Sequence, residues 1–198
     1  LRVLVVDDEP IIRMDVREML EGMGHLVVGE AGDGATAVEM ARSLRPDVVL
    51  MDIKMPGPVD GLQASRVIFE EEICPVVLLS AYSHEQLVDE ASSIMGICGY
   101  LVKPIKEEDV AVALRLAVAM WLYYKGLKEE NARLHRKLEE REWVELAKRV
   151  LRDKHGLGEA EAYRLIQRMS MDSRRSMGEV ARAIVFASGI EDIALGRP

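Results

Sequence analysis

Val3-Leu4-Val5-Val6-Asp7-Asp8-Glu9 places a four-residue aliphatic run directly before a pair of carboxylates. A run this short, closed by polar residues, reads as a buried strand rather than a helix. The same signal returns at residues 26–28, 48–51, 76–79 and 99–102. Between these runs the apolar residues follow helical spacing, as in Ile12, Val16, Met19, Leu20 and Met23, then Ala37, Ala41 and Leu44, then Val67 and Ile68. Ser83-His84-Glu85-Gln86 is a capping-box signature that opens a fourth helix. Strands alternating with helices predict an α/β doubly wound domain: a five-stranded parallel sheet covered on both faces. Ligands of such a sheet bind beyond the carboxyl ends of its strands.

Those ends carry the chemistry. The first strand ends in Asp7-Asp8, the third in Asp52, the fourth in Ser80-Ala81 and the fifth in Lys103-Pro104. In a parallel sheet all of them share one rim. Carboxylates gathered there repel one another and call for a hard cation with oxygen ligands, Mg²⁺. With Mg²⁺ and Lys103 beside it, one carboxylate can attack a phosphoryl group and form an acyl phosphate. The Ser80 hydroxyl is placed to bond the phosphoryl oxygens, and Tyr100 to move inward behind it. Gly29, Gly32 and Gly34 follow the second strand and do not spell a dinucleotide-binding GxGxxG. The four histidines are scattered, with no CxxC or HExxH, so no zinc site is expected.

Beyond Asp109 no strand signal returns. Helical spacing runs from Val110 to about Lys154 without proline. Met120, Leu127 and Leu134 recur every seven residues, and Tyr124, Asn131 and Leu138 accompany them at plus four. This is an a/d seam with one polar position, the kind that fixes register in a parallel pair. It serves either a self-pairing coiled coil or packing of the helix on its own domain. Gly156-Leu157-Gly158 stops the helix. A second helix follows from Glu159 to about Met171, and Ser176-Met177-Gly178-Glu179 caps a third. The divisions expected are 1–120, a linker helix 121–140, a three-helix domain 141–190 and a tail 191–198.

Charge separates the two halves. Residues 1–120 carry a net −11 and residues 121–198 a net +3, within a chain of net −8. An acidic first half is a poor nucleic-acid binder, whereas the basic second half suits one. No apolar run approaches the ~18 residues of a membrane span, the longest candidate being interrupted by Arg115. Two cysteines without a disulfide framework, and a first strand entered with no signal-peptide pattern, fit a reduced, cytoplasmic protein away from membranes.

Residues 2–120 resemble the receiver domain of two-component response regulators, which is flavodoxin-like. The resemblance rests on Val5-Val6-Asp7-Asp8-Glu9, Asp52 with Met55-Pro56 and Asp60-Gly61, Ser80-Ala81, and Tyr100-Leu101-Val102-Lys103-Pro104. It implies that Asp52 accepts a phosphoryl group from a sensor histidine kinase or a small phosphodonor. Asp7, Asp8, Asp52 and the Lys54 backbone carbonyl would hold Mg²⁺. Lys103 would pair with the phosphate, and Ser80 and Tyr100 would form the switch. Such a protein is a phosphoacceptor, able to dephosphorylate itself, rather than an enzyme with a substrate. The stretch from Met55 to Gly61 is one residue longer than the usual spacing.

The segment from about Leu138 to Ala187 resembles the ANTAR domain, an RNA-binding antitermination module. The matching residues are Ala147-Lys148, Val150-Leu151, His155-Gly156-Leu157, Glu159-Ala160-Glu161-Ala162-Tyr163, Leu165, Arg168-Met169, Met171-Asp172 and Val180-Ala181. Departures are Arg149 for a usual Gly, Arg152 for Met, Ser170 for Ala and Gly158 for a Ser cap. The combination implies a phosphorylation-controlled regulator that binds RNA hairpins as a homodimer and prevents transcription termination. Lys148 and Arg168, on different helices, and Arg174 and Arg175, in the turn before the third helix, are the expected RNA contacts. The alternatives are a protein-binding or dimerising output, and a DNA-binding regulator whose third helix offers Arg182 to a major groove.

Overall fold

The strand Arg2–Val6 (β1) is buried along Val3, Leu4, Val5 and Val6 in the computed structural model, which describes residues 1–80 and 97–189. Then come Pro10–Gly22 (α1), Leu26–Ala31 (β2), Gly34–Leu44 (α2), Val48–Asp52 (β3), Gly61–Glu70 (α3), Val76–Ser80 (β4) and Ile97–Val102 (β5). Ala81, the helix expected from Ser83-His84-Glu85-Gln86, and the tail 191–198 lie outside the described residues. The five strands form one parallel sheet in the order β2-β1-β3-β4-β5. This is the doubly wound fold that the alternation predicts.

Side chains alternate between the faces of a strand, so each run feeds two cores. Leu4, Val6, Val49, Met51, Val76 and Leu78 pack against Ala37, Val38 and Ala41 of α2 and Ala64 and Ile68 of α3. Val3, Val5, Val48, Leu50, Val77 and Leu79 face the opposite way, onto Val16 and Leu20 of α1 and Val110, Leu114 and Ala117 of a long helix, Glu107–His155 (α4). Burial on both faces is why these strands read as continuous aliphatic runs. Cys74 and Cys98 are buried and unbridged. Burial pushes the Cys74 thiol up to about 12, which leaves it inert.

Glu107, Glu108 and Asp109 complement the dipole at the start of α4, and Arg152, Lys154 and His155 do so at its end. By length and composition α4 is apolar enough to cross a membrane, contrary to the expectation from the sequence. Its Val110, Ala113, Leu114, Ala117 and Trp121 are instead buried in the first domain. Gly156, at φ +65°, ends the helix in the left-handed region that favours glycine. Glu159–Ser173 (α5) and Met177–Ala187 (α6) follow. Val144, Ala147, Val150 and Leu151 of α4 share a core with Ala162 and Ile166 of α5 and Val180, Ala181 and Val185 of α6.

The chain forms two compact units, 1–125 and 126–198. The first holds Trp121, Tyr124 and Lys125, which the sequence assigns to the linker. Trp121 and Tyr124 stack at 5.7 Å and both meet Phe69, while Lys125 pairs with Glu72 at 3.3 Å.

Candidate functional site

The register of the sheet builds the pocket. Val6 of β1 pairs with Met51 of β3, so Asp7 and Asp52 leave neighbouring strands at the same level. Ser80 of β4 pairs with Val102 of β5, and the Lys103 N–H donates to the Ser80 carbonyl at 2.7 Å. Asp7, Asp8 and Asp52 each turn a carboxylate oxygen to a common point, all within 4.8 Å of one another. Asp7 is fully buried, Asp52 nearly so, and Asp8 is exposed.

Two buried carboxylates need compensation. Lys103 supplies it, its ammonium lying 2.6 Å from Asp7 Oδ2 and 2.8 Å from Asp52 Oδ1. Burial works against the lysine charge, but hydrogen bonds to Asp52 and then Asp7 outweigh it and raise the Lys103 pKa. Burial raises the Asp52 carboxyl, Lys103 opposes this, and the charges of Asp7 and Asp8 add to the rise. Asp7 is held further by the Glu9 N–H, which donates to its Oδ1 at 3.0 Å. The donor set is wholly carboxylate oxygen, with Lys54 following two residues after Asp52, and it fits a hard divalent ion such as Mg²⁺. Lys54 joins Asp8, Met55, Pro56 and Asp60 around a shallow cleft beside these carboxylates.

Glycines set the walls. A Cβ on Gly61 would lie 1.8 Å from the Asp52 carbonyl oxygen, so α3 starts against the backbone of Asp52 only because residue 61 has no side chain. Asp60 caps that helix, accepting from the Gln63 N–H at 2.7 Å. In the longer loop Gly57 sits at φ +120°, outside the range of other residues. The loop then rests Val59 against α2, where a Cβ on Gly34 would meet the Val59 carbonyl at 2.5 Å. Ser80 is buried on the rim, whereas Tyr100 is 43% exposed and turned outward.

The second unit distributes its charge differently. Lys148 is 9% exposed, and its ammonium lies 2.9 Å from Glu159 and 3.0 Å from Glu145. Hydrogen bonds to Glu159 and then Glu145 raise its pKa. The residue expected to meet RNA is thus held by two exposed carboxylates, which tie α4 to the start of α5. Arg168, Arg174 and Arg175 are exposed, Arg174 ending α5 at φ +55°. Arg149 and Arg152 also face solvent. Gly158 has no side chain to cap α5, but Glu161 accepts from its N–H at 2.9 Å. The Ser170 hydroxyl donates to the Arg175 carbonyl at 2.6 Å and fastens the turn.

Met120, Leu127, Asn131, Leu134 and Leu138 are exposed, as a seam requires. Tyr124 is not: it is half-buried, 5.0 Å from Phe69, and its neighbour Tyr123 is 71% exposed. The heptad count missed a further cluster. Arg182 lies over the rings of Trp143 and Phe186, its guanidinium carbon 5.2 and 5.9 Å from their centroids. Trp143 and Arg182 are far apart in sequence, and no local pattern links them.

The response regulator receiver domain model matches residues 3–115, and the ANTAR domain model matches residues 132–185. The chain is 44% identical over 188 residues to the transcriptional regulatory protein PdtaR of Mycobacterium tuberculosis, covering 95% of this chain and 91% of the relative. It is 40% identical over 119 residues to the positive alginate biosynthesis regulatory protein of Pseudomonas aeruginosa, covering 59% and 47%. Among solved structures it is similar to the signal receiver domain of a NarL response regulator from Mycobacterium tuberculosis, with a TM-score of 0.56 and 36% identity. That match covers 60% of this chain and 96% of the other. The receiver domain of the sensor histidine kinase PA1611 from Pseudomonas aeruginosa, solved with a magnesium ion in its active site cleft, matches with a TM-score of 0.53 and 28% identity. It covers 60% of this chain and 97% of that one.

Proposed function

The chain belongs to the response regulators that join a receiver domain to an ANTAR domain, and from that premise we propose that it is a phosphorylation-controlled RNA-binding antiterminator. The observation that carries the first half is the convergence of Asp7, Asp8 and Asp52 with Lys103 on one rim of the sheet. Asp52 attacks the phosphorus of a phosphohistidine on a sensor kinase. An O–P bond forms at its carboxylate, the N–P bond breaks, and the departing imidazole takes a proton. Asp7, Asp8, Asp52 and the Lys54 carbonyl would hold Mg²⁺, which offsets negative charge on the transferring oxygens. Lys103 exchanges its contact with Asp52 for one with the new phosphoryl oxygens. Ser80, at the end of the adjoining strand, bonds another of them, and Tyr100 turns inward behind it.

The output half acts in the cytoplasm on RNA hairpins of nascent transcripts. Its exposed arginines support this reading, because unpaired loops are read by stacking and hydrogen bonds rather than by inserting a helix into a groove. Two copies paired along Met120, Leu127, Asn131, Leu134 and Leu138 would raise affinity for tandem hairpins through effective concentration. The exposure of those residues supports the seam, with Tyr123 rather than Tyr124 available to it.

The test compares the parent with Leu127→Asp/Leu134→Asp, each with and without a small phosphodonor. Light scattering reads the dimer, and gel shifts compare structured RNA with duplex DNA. The double variant should stay monomeric and bind tandem hairpins weakly while Asp52 is labelled at the parental rate. Preference for duplex DNA, or tight hairpin binding by the monomeric variant, would refute the proposal.

A further inference from the structure

Resting on the RNA reading, we infer that the cleft between α4 and α6 is the loop-reading site, with Arg182 as a stacking platform for an unpaired base. The cleft is lined by Arg133, Arg136, Lys137, Trp143, Ser176 and Arg182, together with Glu139, Glu140 and Glu179. Trp143 and Phe186 lie 5.9 Å apart with their planes at 33°, and the Arg182 guanidinium covers both. Arg182 is an exposed residue, within reach of a ligand in solvent. Among the described residues no carboxylate forms an ion pair with it. A guanidinium carried over two aromatic rings offers a cationic surface on which a nucleic-acid base can stack.

Two of the three carboxylates that line the cleft are tied to backbone N–H groups. Glu140 accepts from the Gly178 N–H at 3.0 Å and Glu179 from the Ser176 N–H at 2.8 Å, so both carboxylates are engaged in fastening the start of α6. A Cβ on Gly178 would lie 2.7 Å from Glu140 Cγ, so the missing side chain lets the two helices close at this end. Arg136 and Lys137 form no ion pair among the described residues, which leaves them for phosphates flanking a stacked base. Arg133 pairs with the exposed Glu130 at 2.6 Å, a contact that a phosphate can replace. Arg175 directly precedes Ser176, one of the residues that line this cleft. A fully paired duplex hides its base faces within the stack and offers this platform nothing, whereas a hairpin loop offers a free base.

The experiment uses the full chain treated with a small phosphodonor and a pool of RNA hairpins with one fixed stem and randomised loops. Bound members are selected, and their affinity is compared with that for the same stem as a blunt duplex. Arg182→Lys keeps the charge and removes the plane. It should weaken hairpin binding about tenfold, leave blunt-duplex binding and the salt slope unchanged, and melt as the parent does. Arg136→Gln with Lys137→Gln should instead flatten the salt slope by about 0.7 per lost contact. In a Trp121→Phe background, the selected hairpin should quench Trp143 emission. Parental hairpin affinity in Arg182→Lys, or unaltered Trp143 emission on binding, would overturn the platform while leaving RNA binding intact. Retention of no hairpin by the parent would overturn the RNA reading and this inference together.

Discussion

The two units treat charge in opposite ways. In the first, Asp7 and Asp52 are buried and meet one lysine on the carboxyl rim of the sheet. In the second, the buried cation, Lys148, is matched by two carboxylates, and the arginines around α5 and α6 stand in solvent. The difference matches what the proposed function asks of each unit. Forming an acyl phosphate needs a nucleophile held where water is scarce and electrostatic forces are strong. Catching a polyanion needs cations that are free to exchange counter-ions for phosphates. Under the proposed function, a buried charge in the first unit marks chemistry, while in the second it marks structure.

The sharpest way to break that contrast is Asp52→Asn. The amide keeps the shape and loses the nucleophile, so labelling by a small phosphodonor in Mg²⁺ should vanish while RNA binding by the unphosphorylated protein stays at its basal level. Label remaining at full strength would mean that another carboxylate on the rim is the acceptor. A smaller effect is expected from Gly61→Ala. Its methyl would meet the Asp52 carbonyl oxygen at 1.8 Å, which backbone on both sides cannot absorb without movement. The expected cost is roughly 3 kcal/mol, read as a melting temperature about 10 °C lower for the receiver, with slower phosphorylation. An unchanged melting profile would show that α3 does not bear on the acceptor.

The receiver pocket was legible because strand order and strand ends determine it. Once Val3–Val6 and Val48–Met51 read as parallel strands, Asp7 and Asp52 had to share a rim, and Lys103 had to join them from the end of β5. The output surface was legible only as composition. Lys148 reads as a free cation until Gly156 turns the chain and brings Glu159 back to it. Tyr124 satisfies the heptad count, but Phe69 lies in another element and draws it inward, leaving Tyr123 outside. Arg182 reads as a lone arginine on a short helix, because Trp143 reaches it only through packing of α6 on α4. In each case the deciding partner is distant in sequence, and helical periodicity says which face a residue occupies but not what covers that face.

The mildest test addresses the buried lysine itself. Lys148→Gln removes the charge that Glu145 and Glu159 share and keeps most of the side-chain stem. If the lysine ties α4 to α5, the output unit should melt at a modestly lower temperature, and Glu159→Gln should lower it in the same sense because it removes the other half of the pair. Hairpin affinity measured across a salt series should keep the parental slope in Lys148→Gln, since a cation already neutralised by two carboxylates releases no counter-ion when RNA binds. Arg136→Gln with Lys137→Gln supplies the opposite pattern, a flatter slope at a parental melting temperature. Should Lys148→Gln flatten the slope as well, the lysine must leave its glutamates to meet a phosphate. The division between a buried charge that holds the fold and exposed charges that hold the ligand would then fail in this unit.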